Sequence, residues 1–238
     1  MEDIKELQSY IDRSKRIVFF GGAGVSTESG IPDFRGVDGL YSQKYKYPPE
    51  TMISRSFFAD HPQEFYDFYR DRVIYLDAKP NAAHLKLAEL ERGGKLTAVI
   101  TQNIDGLHQA AGSQNVLELH GSIWRNYCVK CGKPYDTKVI TESSGVPHCG
   151  CGGIIRPDVV LYEEALDQRV LIKAEKYIRE ADLLLVGGTS LVVYPAAGLV
   201  DMYKGPLVLI NISATFQDRR ASLLLKENIG EVMGRITV

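Results

Sequence analysis

Gly21 to Arg35 reads Gly-Gly-Ala-Gly-Val-Ser-Thr-Glu-Ser-Gly-Ile-Pro-Asp-Phe-Arg. Just before it, Arg16-Ile17-Val18-Phe19-Phe20 is a short apolar run with β-branched and aromatic residues, the composition of a buried strand. Gly21, Gly22 and Gly24 then let the backbone turn sharply and let a ligand approach where a Cβ would clash. Ser26 or Thr27 could cap a short helix there, leaving free N–H groups pointed at an anion. A strand, a glycine turn and a helix start have the form of a dinucleotide-phosphate site. The match is incomplete. Thr27 stands where the usual fingerprint has a third glycine, and no acidic residue closes a second strand about 20 residues on. A plain strand-to-helix turn would account for the glycines. It accounts less well for Ile31-Pro32-Asp33-Phe34-Arg35, which sets a carboxylate, a ring and a guanidinium beside the turn, where they could hold a flat, charged leaving group.

Working outward, 238 residues suffice for one large domain with a small insertion. An apolar content of 45% with 24% charged residues is ordinary for a globular chain. The formal charge of −2 offers no basic field for nucleic acid or an anionic membrane, and no apolar run approaches the ~20 residues of a membrane helix. The acidic, amphipathic start, Met1 to Leu7, is unlike a signal peptide. The expected compartment is the cytoplasm, and the expected state a monomer.

Along the chain, Ile4, Leu7 and Ile11 predict a covering helix over Glu2 to Ser14. Residues Gly36 to Lys79 are irregular and aromatic, then helical from Pro62 to Tyr75, and read as an insertion. A helix from Asn81 to Glu91, ended by Gly93-Gly94, leads to a strand at Lys95 to Thr101. That strand runs into Gln102-Asn103-Ile104-Asp105, polar residues at a carboxyl end, where open α/β sheets bind ligands. Val116 to His120 is a further short strand. Gly152 to Tyr162 should return the chain to the sheet. A helix (Asp167 to Arg179), a buried strand (Asp182 to Val186) ending in Gly187-Gly188-Thr189-Ser190, a helix (Ala196 to Lys204) and a last strand (Pro206 to Asn211) follow. The tail from Asp218 is weaker in pattern. Strands near residues 16, 95, 116, 182 and 206, separated mainly by helices, predict an α/β fold with a doubly wound, parallel, Rossmann-like sheet. Its polar motifs would converge on one edge. A smaller domain would combine the helical insertion with a four-cysteine zinc module. The expected boundaries are 1–35, 80–122 and 154–238 for the large domain, with 36–79 and 123–153 for the small one.

The chain has four cysteines, Cys128, Cys131, Cys149 and Cys151, all in one short Gly- and Pro-bearing stretch. The C-x2-C spacing of the first pair is that of a zinc knuckle, and four thiolates make a closed structural site with no open catalytic position. Disulfides are the alternative, disfavoured where thiols stay reduced. His148 is an alternative ligand to Cys149. Of the five histidines, His120 stands apart because it ends a strand on the edge where the other motifs lie.

Gly22-Ala23-Gly24-x-Ser26-x-x-Ser29-Gly30-Ile31-Pro32-Asp33-Phe34-Arg35 resembles the first signature of the sirtuins, NAD-dependent protein-lysine deacylases. Gln102 to His108, the His120-Gly121 step and the segment after the cysteines resemble further family segments, so that the likeness spans Gly21 to about Gly230. The chain resembles a bacterial-type single-domain member. The resemblance implies NAD contacts at Gly22, Ala23, Gly24, Thr27, Asp33, Phe34, Arg35, Gln102, Ile104, Asp105, Gly188, Thr189, Ser190, Asn211 and Ile229. It implies a catalytic role for Asn103 and makes His120 the general base, an imidazole suited to taking a ribose proton. It implies zinc on the four cysteines, although the family usually separates the second pair by two residues. Val159, Val160, Leu161, Tyr162, Val192 and Val193 would border the peptide, added as a strand. Tyr66 and Tyr69 match the Tyr-x-x-Arg positions of desuccinylating members, so the missing arginine implies neutral acyl groups. Leu161-Tyr162-Glu163-Glu164 stands where the family has aromatic-aromatic-Gly-Glu, and the two glutamates would favour basic residues beside the lysine.

The implied reaction is NAD-dependent deacetylation of acetyl-lysine proteins, releasing nicotinamide and O-acetyl-ADP-ribose. Three other readings stay open: an NAD-dependent oxidoreductase, a non-catalytic NAD-binding zinc module, and ADP-ribosyl transfer on the same fold.

Overall fold

The computed structural model describes residues 2–34, 36, 39–40 and 45–238. In chain order its strands are β1 (Ile17–Gly21), β2 (Leu96–Thr101), β3 (Val116–Glu118), β4 (Gly121–Cys128), β5 (Pro134–Tyr135), β6 (Ile155–Val159), β7 (Leu183–Gly187), β8 (Leu207–Ile210) and β9 (Leu223–Leu225). The helices are α1 (Glu2–Arg13), α2 (Pro49–Met52), α3 (Arg55–Asp60), α4 (Pro62–Arg72), α5 (Ala82–Arg92), α6 (Leu107–Ala110), α7 (Lys138–Thr141), α8 (Gln168–Glu180), α9 (Ala196–Met202) and α10 (Ile229–Gly234).

Every residue of β1 and of β7 is buried. Strands covered on both faces read as continuous apolar runs, and these two lie side by side at the centre of a parallel sheet ordered β3-β2-β1-β7-β8-β9. Successive side chains point to opposite faces. Ile17 and Phe19 join Leu7, Ile11, Leu87, Leu90 and Met233 on one side. Val18 and Phe20 join Ala174, Ile178 and Leu199 on the other. Helices α1, α5 and α10 therefore cover one face, α8 and α9 the other, which is the doubly wound form expected. Burying each large apolar side chain stabilises the fold by roughly 1.5–3 kcal/mol. Helix starts are set locally: Asn81 Oδ1 accepts the Ala83 N–H at 2.9 Å, and Asp167 Oδ1 accepts the Arg169 N–H at 2.8 Å.

The second sheet is antiparallel, ordered β5-β4-β6. It corrects one expectation: residues 155–159 pair with β4 and do not rejoin the parallel sheet. The segment reads Ile-Arg-Pro-Asp-Val, buried residues alternating with the half-buried Arg156 and Asp158, the pattern of a strand covered on one face and unlike the continuous apolar runs of β1 and β7. Two elements in the weakly patterned tail, β9 and α10, complete the parallel sheet's edge and one covering layer. A third core gathers Phe57, Phe65, Tyr66, Phe68 and Tyr69 with Ile123, Ile155 and Leu161, joining the helical insertion to the antiparallel sheet. Among the described residues no helix is long and apolar enough to cross a membrane.

Candidate active site

Chain order in the parallel sheet reverses between β1 and β7, the position at which such sheets open a crevice beyond their strand ends. A cavity of about 520 Å³ lies there. It is lined by residues that follow β1, β2, β3, β7 and β8, so all five strand-end motifs reach one space.

The glycine loop after β1 is shaped by the loop after β7. Gly22 N–H donates to Gly187 O (3.3 Å), and Gly24 N–H donates to Gly188 O (2.8 Å). A Cβ on Gly22 would sit 2.8 Å from Thr189 Cβ, and one on Gly24 would sit 2.8 Å from Gly188 Cα. These glycines are thus demanded by loop-on-loop packing, beyond any ligand. The hydroxyls expected to cap a helix do other work. Thr27 Oγ1 donates to Gly24 O, while Ser26 Oγ donates to Asp105 Oδ2 at 2.6 Å and accepts from Asn103 Nδ2 at 3.0 Å. Asp105 Oδ1 accepts the Leu107 N–H (2.9 Å). Burial raises the Asp105 carboxyl above the ordinary aspartate range, partly offset by the bonds from Ser26 and Leu107.

His120 sits between β3 and β4. The following Gly121 has φ 79°, and a Cβ there would lie 1.9 Å from Asp158 O, so only glycine fits this step. His120 Nδ1 lies 2.9 Å from the Gln102 carbonyl oxygen. A carbonyl only accepts, so Nδ1 carries the proton and Nε2 is the basic nitrogen. Burial lowers the imidazole's affinity for a second proton, with the Gln102 bond acting the other way. The ring is therefore neutral near pH 7.

Gln102 Nε2 donates to Thr189 Oγ1 (3.0 Å). Asn211 accepts the Thr189 N–H (2.9 Å) and donates to Thr189 O (2.6 Å), clipping the loops after β7 and β8 together. Ala23, Asp33, Phe34, Ile104, Ser190 and Ile229 also line the cavity. Asp33 Oδ1 accepts the Gly36 N–H (2.7 Å), and Arg35 lies outside the described residues.

On the opposite wall, Val159, Val160, Leu161, Tyr162 and Val193 line the cavity, while Val192 does not and is 51% exposed. Of the two tyrosines, Tyr69 reaches the cavity. Tyr66 is packed away, its hydroxyl donating to Ile155 O at 2.5 Å. Glu163 and Glu164, expected to favour basic residues beside the lysine, both have partners within the chain. Glu163 accepts from Ser56, and Glu164 pairs with Arg156 at 2.8 Å. Only Glu164 has a cationic partner among these; those of Glu163 are neutral.

The four cysteine sulfurs all lie within 4.8 Å of one another, with Cys128 and Cys151 at 3.5 Å and Cys131 and Cys149 at 3.7 Å. Tetrahedral zinc with Zn–S bonds of about 2.3 Å sets sulfurs about 3.8 Å apart, so this donor set fits zinc. None is in a disulfide. His148 is outside the cluster, its Nδ1 paired with Val146 O at 2.7 Å. The one-residue spacing of Cys149 and Cys151 thus still brings both thiols to the site. Tyr135 Oη donates to Cys149 Sγ (3.0 Å), a bond that supports a thiolate.

The model of the Sir2 family matches residues 22–195. The chain belongs to the Sir2 family. It is 57% identical over 238 residues to an NAD-dependent protein deacetylase of Clostridium acetobutylicum, covering 98% of this chain and 97% of that one. It is also 57% identical over 242 residues to a protein of the same name from Clostridium perfringens, covering 99% of each. A solved Sir2 complex with p53 peptide and NAD+ superposes with a TM-score of 0.88 at 44% identity, covering 98% of this chain and 96% of that one. Sir2 bound to acetylated peptide superposes at 0.87, with 43% identity and the same coverage.

In this Sir2 chain, several cavity residues escaped the sequence reading. Ser26 lies inside the first signature but gives no sign, by spacing, that it will bond Asp105. Ile53, Arg72 and Tyr75 reach the cavity from the helical insertion, and Glu227 and Asn228 from the loop before α10. Trp124 Nε1 donates to Asp105 O at 2.7 Å, and Ile123 N–H donates to Ile104 O at 3.0 Å. Strand β4 therefore props the loop that carries Asn103 and Asp105.

Proposed function

We propose that this Sir2 protein is an NAD-dependent protein-lysine deacetylase, acting in the cleft between the parallel-sheet domain and the small domain. The observation that carries the reading is the convergence of five strand-end motifs on one cavity, with a neutral His120 and the Ser26–Asn103–Asp105 cluster on its wall. The cradle fits a dinucleotide: glycines where two loops meet, Asn211 and Thr189 at the neighbouring strand ends, and a buried carboxyl beside Asn103. NAD would supply the reactive ribose carbon and the nicotinamide leaving group, giving nicotinamide, free lysine and O-acetyl-ADP-ribose.

The chain's own residues divide the remaining work. Asn103, Ile104, Asp105, Asp33 and Phe34 shape the nicotinamide pocket. The raised Asp105 carboxyl, oriented by Ser26, presents its oxygens to an amide. His120 Nε2 takes a ribose hydroxyl proton, with Gln102 O holding the tautomer that leaves this nitrogen free of its own proton. Burial holds His120 below the ordinary 6.5, so the acid limb of the rate profile should fall below pH 6.5, because only the neutral ring accepts a proton. Val159 to Tyr162 and Val193 would flank an extended peptide.

Neutral acyl groups are the proposed preference. Tyr69, a neutral side chain, stands on the cavity where desuccinylating members carry arginine. Arg70 is turned away to Ile140 O and Ser143 Oγ. Arg72 lines the cavity beside the exposed Asp71 carboxylate, 2.6 Å from its Nε, which draws on part of its charge. A faster rate on succinyl- than on acetyl-lysine peptides would sink this preference.

The test is nicotinamide release from NAD with an acetyl-lysine peptide, in wild type and His120→Ala. Deacetylation in the wild type that falls at least a hundredfold in the variant supports the reading. Nicotinamide released while the peptide stays acetylated would point to ADP-ribosyl transfer or glycohydrolysis. NAD bound without release would leave a binding module, and NADH formation an oxidoreductase.

A further inference from the structure

Glu164 N–H donates to Leu161 O at 3.1 Å, closing a four-residue turn with Tyr162 and Glu163 at its centre. Glu163 has φ 73°. A positive φ at the third position is the mark of a type II turn, where glycine is favoured because it has no Cβ to clash. That explains the glycine of the resembled pattern, and it raises the question of what holds a glutamate there. Among the described residues, Leu191 is the only other non-glycine with positive φ.

The answer lies in the partner of the carboxylate. Glu163 Oε2 accepts the Ser56 N–H at 2.9 Å, and Oε1 accepts Ser56 Oγ at 2.8 Å. Ser56 is the second residue of α3. The neighbouring backbone is joined along the same seam: Arg55 N–H donates to Tyr162 O (3.0 Å), Tyr162 N–H donates to Ile53 O (3.1 Å), and Ser54 bridges Tyr162 in parallel. From the other side, Glu164 accepts the Leu161 N–H (2.9 Å) and pairs with Arg156. Ile53, Tyr162, Glu163 and Glu164 all line the cavity. Two successive glutamates thus hold one turn, the first to the helical insertion and the second to β6.

We propose that Glu163 is a positioning residue for the acyl-lysine peptide. Its carboxylate latches the 161–164 turn to Ser56 and fixes in advance the cavity wall that an extended substrate would lie against. A side chain replaces the freedom of glycine with a tether, and a wall ordered beforehand costs the peptide less to bind. Glu163 acts through the backbone and takes no part in the chemistry. The proposal rests on the deacetylase reading above.

The test is steady-state kinetics on the zinc-loaded full chain with an acetyl-lysine peptide, for wild type, Glu163→Ala, Glu163→Gly, Ser56→Ala and the Ser56→Ala/Glu163→Ala double variant. Losing the charged hydrogen bonds should raise the peptide KM of Glu163→Ala roughly fivefold to tenfold, with kcat and the NAD KM within about twofold. Ser56→Ala should shift the peptide KM in the same direction but less, since its N–H remains, and the double variant should match Glu163→Ala, because both remove one interaction. Glu163→Gly is the sharpest arm, since it relieves the left-handed backbone and still loses the latch. It should raise the peptide KM as Glu163→Ala does. Glycine at or below the wild-type peptide KM would overturn the proposal, and so would an unchanged peptide KM in Glu163→Ala or equal rises in both KM values. A wild type inert on every acetyl-lysine peptide would overturn the deacetylase reading and this proposal with it. A working wild type with an unaffected Glu163→Ala would overturn the latch alone.

Discussion

The six-stranded parallel sheet and the three-stranded cysteine-bearing sheet meet at His120, and different forces hold them. The parallel sheet has two apolar cores, one on each face, and its strand-end loops are cross-tied by Gly24–Gly188, Ser26–Asp105 and Thr189–Asn211. The antiparallel sheet has an aromatic core on one side and four sulfurs at its far end, two of them on exposed residues. Strand β4 belongs to the second sheet, yet it begins beside His120 and ends at Cys128. The precision of the site is thus built on hydrophobic burial, while one of its props ends at the four-cysteine donor set.

Removing the metal should separate the two regions most clearly. Structural zinc contributes about 10–16 kcal/mol in small zinc peptides, so a chelator or Cys131→Ser should abolish hydrogen-exchange protection in β4 to β6. Protection in β1, β2, β7 and β8 should persist, and its loss together with the module would break the comparison. Next in size, Leu185→Ala should cost about 2–5 kcal/mol in urea unfolding of the parallel sheet, with zinc content per folded chain unchanged. A loss of zinc in parallel would show that the regions unfold as one.

Acid should act on the parallel-sheet side. His84 and His108 are buried with ring centroids 4.7 Å apart, and His108 packs 6.0 Å from Phe19. Among the described residues, His84 Nε2 and both His108 nitrogens have no hydrogen-bond partner. Burial lowers His84 to about 4, and burial with the neighbouring His84 lowers His108 well below 6.5. Groups kept neutral in the fold charge first in the unfolded chain. Their contribution is therefore complete above pH 6.5 and is lost as pH falls, until His84 itself charges near pH 4. The slope is at most about 1.4 kcal/mol per pH unit for each histidine. A urea midpoint that does not move between pH 7 and pH 5 would show that the pair is not held neutral. The smallest effect is expected at the junction. Trp124→Phe keeps the ring and removes the bond to Asp105 O, worth about 0.5–1.5 kcal/mol, so the NAD KM should rise a few fold with zinc content intact. An unchanged NAD KM would mean that β4 does not steady the loop carrying Asn103 and Asp105.

The parallel sheet was legible because its signals are local. Runs such as Phe19-Phe20 and Leu183-Leu184-Leu185 are apolar throughout, and glycine or polar residues mark where each strand stops. The cysteine cluster was legible for the same reason, with ligands of one chemical type close in sequence. Residues 155–159 were misplaced although Arg156 and Asp158 alternate with buried neighbours, the sign of a strand covered on one face, as it is beside β4. The capping roles given to Ser26 and Thr27 failed because Asp105, 79 positions away, competes for the Ser26 hydroxyl. Tyr66 and Tyr69, alike in sequence, were separated by the turn of α4, which buries one against Ile155 and brings the other to the cavity.

By itself, the sequence determined the strand-end motifs, the His120-Gly121 step after β3 and the four-cysteine donor set, because each depends on residue type and short spacing. The tertiary structure decided why Gly22 and Gly24 must be glycine, where the Glu163 carboxylate goes and which nitrogen of His120 is basic. Those depend on atoms brought together from distant parts of the chain: Gly188, Ser56 and the carbonyl of Gln102. Residue type limits which bonds a side chain can make, and packing selects the partner.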